Sequence, residues 1–165
     1  MRHTNSGFTL IELFAVIAIV AILAVIVIPS LLNTKYMANE SAAVAHLKSF
    51  STAMIGYYED QLDACYPTST SEFGFYFTHV PLKAGYNYYY ATNVSKTSKA
   101  SAIVYYAYPT STITGKRIFM VDETCRVWEA KINKTSQLKD PTVDFTKDGS
   151  ARIIDPSDLV WTQKT

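Results

Sequence analysis

Hydrophobic and polar positions divide this chain into three stretches. Met1 to Gly7 (MRHTNSG) is polar and carries Arg2, whereas Leu13 to Ile28 contains no polar side chain. Counted from Phe8, the run to Ile28 is 21 residues, which as a helix spans about 30 Å, the thickness of a bilayer's hydrocarbon core. A positive stub before such a run holds the N-terminus in the cytoplasm. Beyond Pro29 the apolar positions become periodic. Leu32, Tyr36, Ala43, Leu47, Phe50, Met54 and Tyr58 fall on one helical face, with Asn33, Lys35, Asn39, Glu40 and Lys48 opposite. This predicts a helix over residues 8–62, membrane-spanning over 8–28 and amphipathic after that. Pro29 removes a backbone donor at a cost of about 3 kcal/mol, so a kink or locally melted turn is expected there.

From Asp63 the helical period stops and turn chemistry begins at Cys65-Tyr66-Pro67-Thr68-Ser69. Residues 85–90 and 102–108 are rich in β-formers, and residues 117–121 and 125–132 form a second pair around Asp122-Glu123-Thr124. Neither a hairpin nor an amphipathic helix is stable alone. The expected class is therefore α+β, a long helix packed on an antiparallel sheet of about four strands, with the head over 63–165. Asp148-Gly149 marks a turn in the tail.

Composition narrows the partners. Fifteen Lys plus Arg against fourteen Asp plus Glu provides no overall field for nucleic acid, so contacts must be local. The two cysteines, Cys65 and Cys125, both follow the apolar segment and so face an oxidising compartment, which favours a disulfide over two buried thiols. Its loop of about 60 residues would contribute on the order of 4 kcal/mol.

The apolar run ends in Val27-Ile28-Pro29-Ser30-Leu31-Leu32 without a small-residue cleavage pattern, which disfavours an ordinary secretory signal. Gly7-Phe8-Thr9-Leu10-Ile11-Glu12 stands before it instead. Glu12 is an acid inside a membrane helix, costing roughly 2.5 to 3.5 kcal/mol, and therefore invites a functional explanation. The run GFTLIEL, the unbroken apolar helix and Pro29 resemble the class III signal of type IV prepilins and type II secretion pseudopilins. AGYNYYY, VYYAYPT and GKRIFMVDETCRVW weakly extend the resemblance over residues 36–132, although the cysteines depart from the C-terminal disulfide loop usual in type IVa major pilins.

The resemblance implies removal of the leader 1–7 between Gly7 and Phe8 and N-methylation of Phe8 by a prepilin peptidase/N-methyltransferase. It implies pairing of Glu12 with the N-terminal amine of a neighbouring subunit, and a stretch before Pro29 that can unwind in the fibre. The implied partners are membrane lipid, an inner-membrane assembly machinery and further pilin-like subunits in a helical homo-oligomeric filament. The implied places are the bacterial inner membrane for the single-pass precursor, then an extracellular pilus or periplasmic pseudopilus. The chemistry of the residues agrees with the pairing: cleavage makes Phe8 an ammonium with pKa near 7.7 to 8.0. Glu12 could meet it within the chain at i, i+4 or across staggered subunits; alternatively it rests at headgroup level in a monomeric anchor.

Other chemistry is sparse. Asp140, Asp144, Asp148, Asp155 and Asp158 evoke calcium, but their spacing matches no EF-hand loop. The tyrosines at 86–90 and 105–108 could form an adhesive patch or an electron path; the plainer reading is strands with alternate tyrosines half buried and their hydroxyls wet. His3, His46 and His79 are scattered, and no metal-ligand spacing, phosphate loop or nucleophile elbow is present. The expectation is a structural subunit with no cofactor and no enzymatic role; a membrane-anchored periplasmic enzyme or binding module is the alternative.

Overall fold

A computed structural model of the protein describes residues 8–93, 100–145, 151–155 and 159–164. The leader residues Met1 to Gly7, together with Asp148, Gly149 and Asp158, lie outside them. The chain divides into two compact units, Met1–Lys35 and Tyr36–Thr165, and helix α1, Leu10–Asp60, contributes to both.

In the first unit α1 contains an 18-residue window of mean hydropathy 3.2, none of it buried. The helix is long and apolar enough to cross a membrane. It continues as α-helix through Pro29, so the expected melted turn is absent. Proline deletes one hydrogen bond of the ladder, and the bonds on either side hold the segment together. One turn later the Thr34 hydroxyl donates to the Ser30 carbonyl at 3.0 Å.

In the second unit the amphipathic half of α1 buries the face its periodicity predicts: Ala43, Leu47, Phe50 and Met54 are all fully buried. The ends of the predicted stripe differ, since Leu32 and Tyr58 remain exposed. The helix stops at Asp60 rather than about Leu62.

The strands are β1 Leu82–Lys83, β2 Tyr86–Thr92, β3 Ile103–Pro109, β4 Arg117–Asp122, β5 Val127–Lys131, β6 Thr142–Phe145, β7 Ala151–Asp155 and β8 Trp161–Gln163. Six of them form one antiparallel sheet in the order β1-β2-β3-β4-β5-β8, and β6 pairs with β7 separately. The expected four are β2 to β5. The two extra strands were missed because β1 has two residues and β8 three, too few for a period of two to be read. The tail thus forms strands, β6 and β7 pairing antiparallel with each other.

β3 is buried along almost its whole length because both of its faces are covered. Ile103, Tyr105 and Ala107 share one core with α1, while Val104 and Tyr106 pack in a second with Ile118, Ala130 and Leu159, flanked by Trp161 and Val143. The helix covers one face and the C-terminal segment covers the other. This also corrects the half-wet tyrosines in part: Tyr86, Tyr88, Tyr105 and Tyr106 are buried, while Tyr89, Tyr90 and Tyr108 are half-buried. Their hydroxyls find protein partners in several cases, as Tyr86 donates to the Arg117 carbonyl at 2.9 Å and Tyr105 shares a 3.0 Å hydrogen bond with His79 Nδ1.

Candidate assembly site

The N-terminal end of α1 is built by a local exchange. The Thr9 backbone N–H donates to Glu12 Oε2 at 2.8 Å and the Thr9 hydroxyl donates to the same oxygen at 2.7 Å. In return the Glu12 N–H donates to Thr9 Oγ1 at 3.3 Å. This is a capping box: a Thr at the helix start and a Glu three residues on satisfy each other's orphan backbone donors. The pattern Thr9-x-x-Glu12 was visible in the sequence, and reading Glu12 only as a buried charge overlooked it. The carboxylate also sits in the first turn, where the helix dipole favours an anion.

The Phe8 nitrogen is a peptide amide in this chain, and the contacts of Glu12 go to Thr9 rather than to Phe8. Phe8 itself is 84% exposed. Both donors from Thr9 fall on Oε2, and neither takes Oε1. They are dipoles, so they orient the carboxylate without cancelling its charge. Pro29 lies inside the same helix, seventeen residues beyond Glu12.

Cys65 and Cys125 are free thiols, so the expected bridge is not formed in this structure. Cys65 lies just beyond the end of α1 at Asp60, and Cys125 lies between β4 and β5, against Ser51 of α1. Cys125 closes the β4–β5 turn at φ 58, in the left-handed region that favours glycine, with its N–H donating to the Asp122 carbonyl at 2.9 Å. Its own carbonyl accepts from the Ser51 hydroxyl of α1 at 3.1 Å. Tyr66, next to Cys65, donates its hydroxyl to the Glu123 carbonyl at 3.2 Å, and burial beside the Cys125 thiol pushes that phenol up to about 12.

The fold gathers some scattered residues and leaves others apart. His46 and His79 both lie against Tyr105, with ring centroids 6.1 and 5.8 Å away. His46 Nε2 and the Tyr88 hydroxyl are buried without a hydrogen-bond partner among the described residues. Burial, helped by Lys83 and His79, pushes His46 down to about 4. Asp140 accepts from the Tyr108 hydroxyl at 3.0 Å, whereas Asp144 and Asp155 lie on β6 and β7. Among the described residues no three His, Cys, Asp or Glu side chains converge as metal ligands.

Residues 2–28 match the family described as prokaryotic N-terminal methylation motif. The matched stretch runs from Arg2 through the capping box and the apolar helix to Ile28, just short of Pro29. It is the class III signal of type IV pilins and pseudopilins. No curated protein and no solved structure matches the chain.

Proposed function

We propose that this chain is a structural subunit of a type IV pilus-like filament, made as a membrane-anchored precursor. The N-terminal methylation motif supports the pilin or pseudopilin class, and the apolar helix fits insertion before assembly. A peptidase removes Met1 to Gly7, methylates the new terminus at Phe8, and the subunit then leaves the lipid by packing its apolar helix against those of other copies. Assembly as a pseudopilus in type II secretion uses the same signal.

The observation that carries this reading is Glu12, held in the first turn of α1 just before the apolar run Leu13 to Ile28, with Oε2 taken by two neutral donors. Those donors leave a net negative charge that is costly away from water. Cleavage creates the matching cation four residues away in sequence, and in a staggered array each ammonium reaches the carboxylate of a neighbour. The capping box aims the carboxylate while Oε1 accepts the amine. Pro29 weakens the helix where it must adapt to its neighbours.

Outside the cell membrane the two thiols are free to oxidise. We propose that Cys65 and Cys125 each lose a proton and together give two electrons to a thiol oxidant of that compartment, fastening the end of the head's helix to the β4–β5 turn. The Tyr66–Glu123 hydrogen bond supports this by tying the residue after Cys65 to the β4–β5 turn that carries Cys125.

The mass of the mature chain tests processing: loss of residues 1–7 plus one methyl group is expected, and an intact leader points to the anchored enzyme or binding module instead. Glu12→Ala should leave membrane insertion intact and abolish incorporation into fibres; normal fibres from that variant remove the role assigned to Glu12.

A further inference from the structure

The head carries two unlike surface features on opposite flanks of α1. The first is a groove of about 570 Å³ lined by the apolar Met37, Val44 and Ala45 together with Glu40, Lys48, Arg117 and Lys164. Glu129 Oε2 binds Arg117 at 3.4 Å and Lys164 at 2.8 Å, and Glu40 lies 3.9 Å from Arg117. Three cations against two carboxylates leave the groove with excess positive charge, and Lys48 has no ion pair among the described residues. The second feature is a knob. Gly74, at φ 56, turns the chain outward, and Phe75 follows, 90% exposed and stacked on Tyr76 with ring centroids 4.4 Å apart. The Tyr76 hydroxyl donates to Asp60, and Glu59 is exposed beside it.

At 3.6 residues per turn, Asp60 lies roughly 120° to 160° around the helix from Lys48, Met37 and Val44, and roughly 24 Å further along the axis than Val44. We propose that the Phe75–Tyr76–Asp60 knob of one copy seats in the Met37–Val44–Lys48–Arg117 groove of the next copy in the filament. The partner is a second copy because the two surfaces complement each other in three respects. A protruding ring meets the apolar side chains of the groove, carboxylates meet its cations, and the aromatic faces accept Lys48 and Arg117 as cation–π partners. Because knob and groove are different surfaces on opposite flanks, each contact leaves a free knob at one end and a free groove at the other, so the association propagates as an open array. This rests on the filament reading and adds to it a contact between heads.

The test uses the full chain in cells that make fibres. With Phe75 replaced by the photoreactive p-benzoyl-phenylalanine, irradiated fibres should yield dimers cross-linked to the Met37–Lys48 stretch of a second copy, identified by peptide mass. Asp60→Lys should cut fibre yield about ten-fold by setting like charges together, and adding Lys48→Asp should restore it. Fibres in which position 75 cross-links elsewhere, to another protein or to nothing overturn the contact and leave the filament reading standing. So does a normal fibre yield from Asp60→Lys, or a double variant that inserts and accumulates normally without recovering. A native chain that makes no fibres overturns both.

Discussion

Between Leu10 and Ile28 every side chain of α1 but Ala24 is exposed, whereas between Ala43 and Met54 the helix buries Ala43, Leu47, Phe50 and Met54 completely. Hydrogen bonding in the backbone is the same in both halves; what differs is what the side chains require. The second half has one apolar face, and the sheet of its own chain covers it. The first half is apolar all round, and no element of the same chain could cover a full cylinder of Leu, Ile and Val. Such a surface needs lipid or many other helices. A helix that supplies its own partner makes a folded head; one that cannot must find its cover in lipid or in other chains.

Substitutions can break that contrast at either end. The largest effect should come from Phe50, whose ring stacks on Tyr105 at 4.2 Å and meets Phe73, Phe77 and Tyr90. Phe50→Ala should destabilise the head by about 3–5 kcal/mol, read as a lower urea midpoint, while leaving membrane insertion unchanged. The mirror experiment is Val20→Arg. It should cost roughly 2.5 to 3.5 kcal/mol of insertion free energy, seen as loss of the membrane fraction, and a chain that still inserts efficiently would blur the distinction.

A smaller loss is expected from Gly115→Ala, because a Cβ there would stand 2.2 Å from the Tyr86 hydroxyl oxygen. That hydroxyl is fixed by the Arg117 carbonyl and its ring is fully buried. Overpacking should cost about 1–3 kcal/mol in thermal unfolding of the head. The mildest effect concerns acidity. His46 is held neutral in the folded head, with its pKa lowered from 6.5 to about 4. The unfolded chain therefore takes up its proton first, so this stabilisation is complete above pH 6.5 and is lost as pH falls from there toward 4. Denaturation midpoints measured across that window should decline, and His46→Phe should decline less.

Read residue by residue, the sequence already contained the long apolar helix, the signal and the face of the head's helix. Each depends on short-range information: an unbroken apolar run, a fixed string around Gly7 and Glu12, and a spacing of three and four. Thr9 belongs to the same class, since its capping box with Glu12 is a pattern of four consecutive residues. The four strands β2 to β5 were legible because each is at least five residues long and rich in β-formers.

Long-range contacts decided the rest. Trp161–Gln163 carries no strand signal of its own; it becomes β8 because the edge of β5 offers it unpaired backbone groups, as in the Glu129–Thr162 register. Alternating tyrosines suggested one wet face, but Leu159 and Trp161 lie more than fifty residues from Tyr106, and no local pattern could say that they would cover it. Likewise, His46 and His79 meet across Tyr105 only because α1 lies on β3. Local spacing determines which residues share a face. Burying that face requires surface from distant parts of the chain, or, for residues 8–28, from outside it, and therefore only the tertiary structure reveals what covers it.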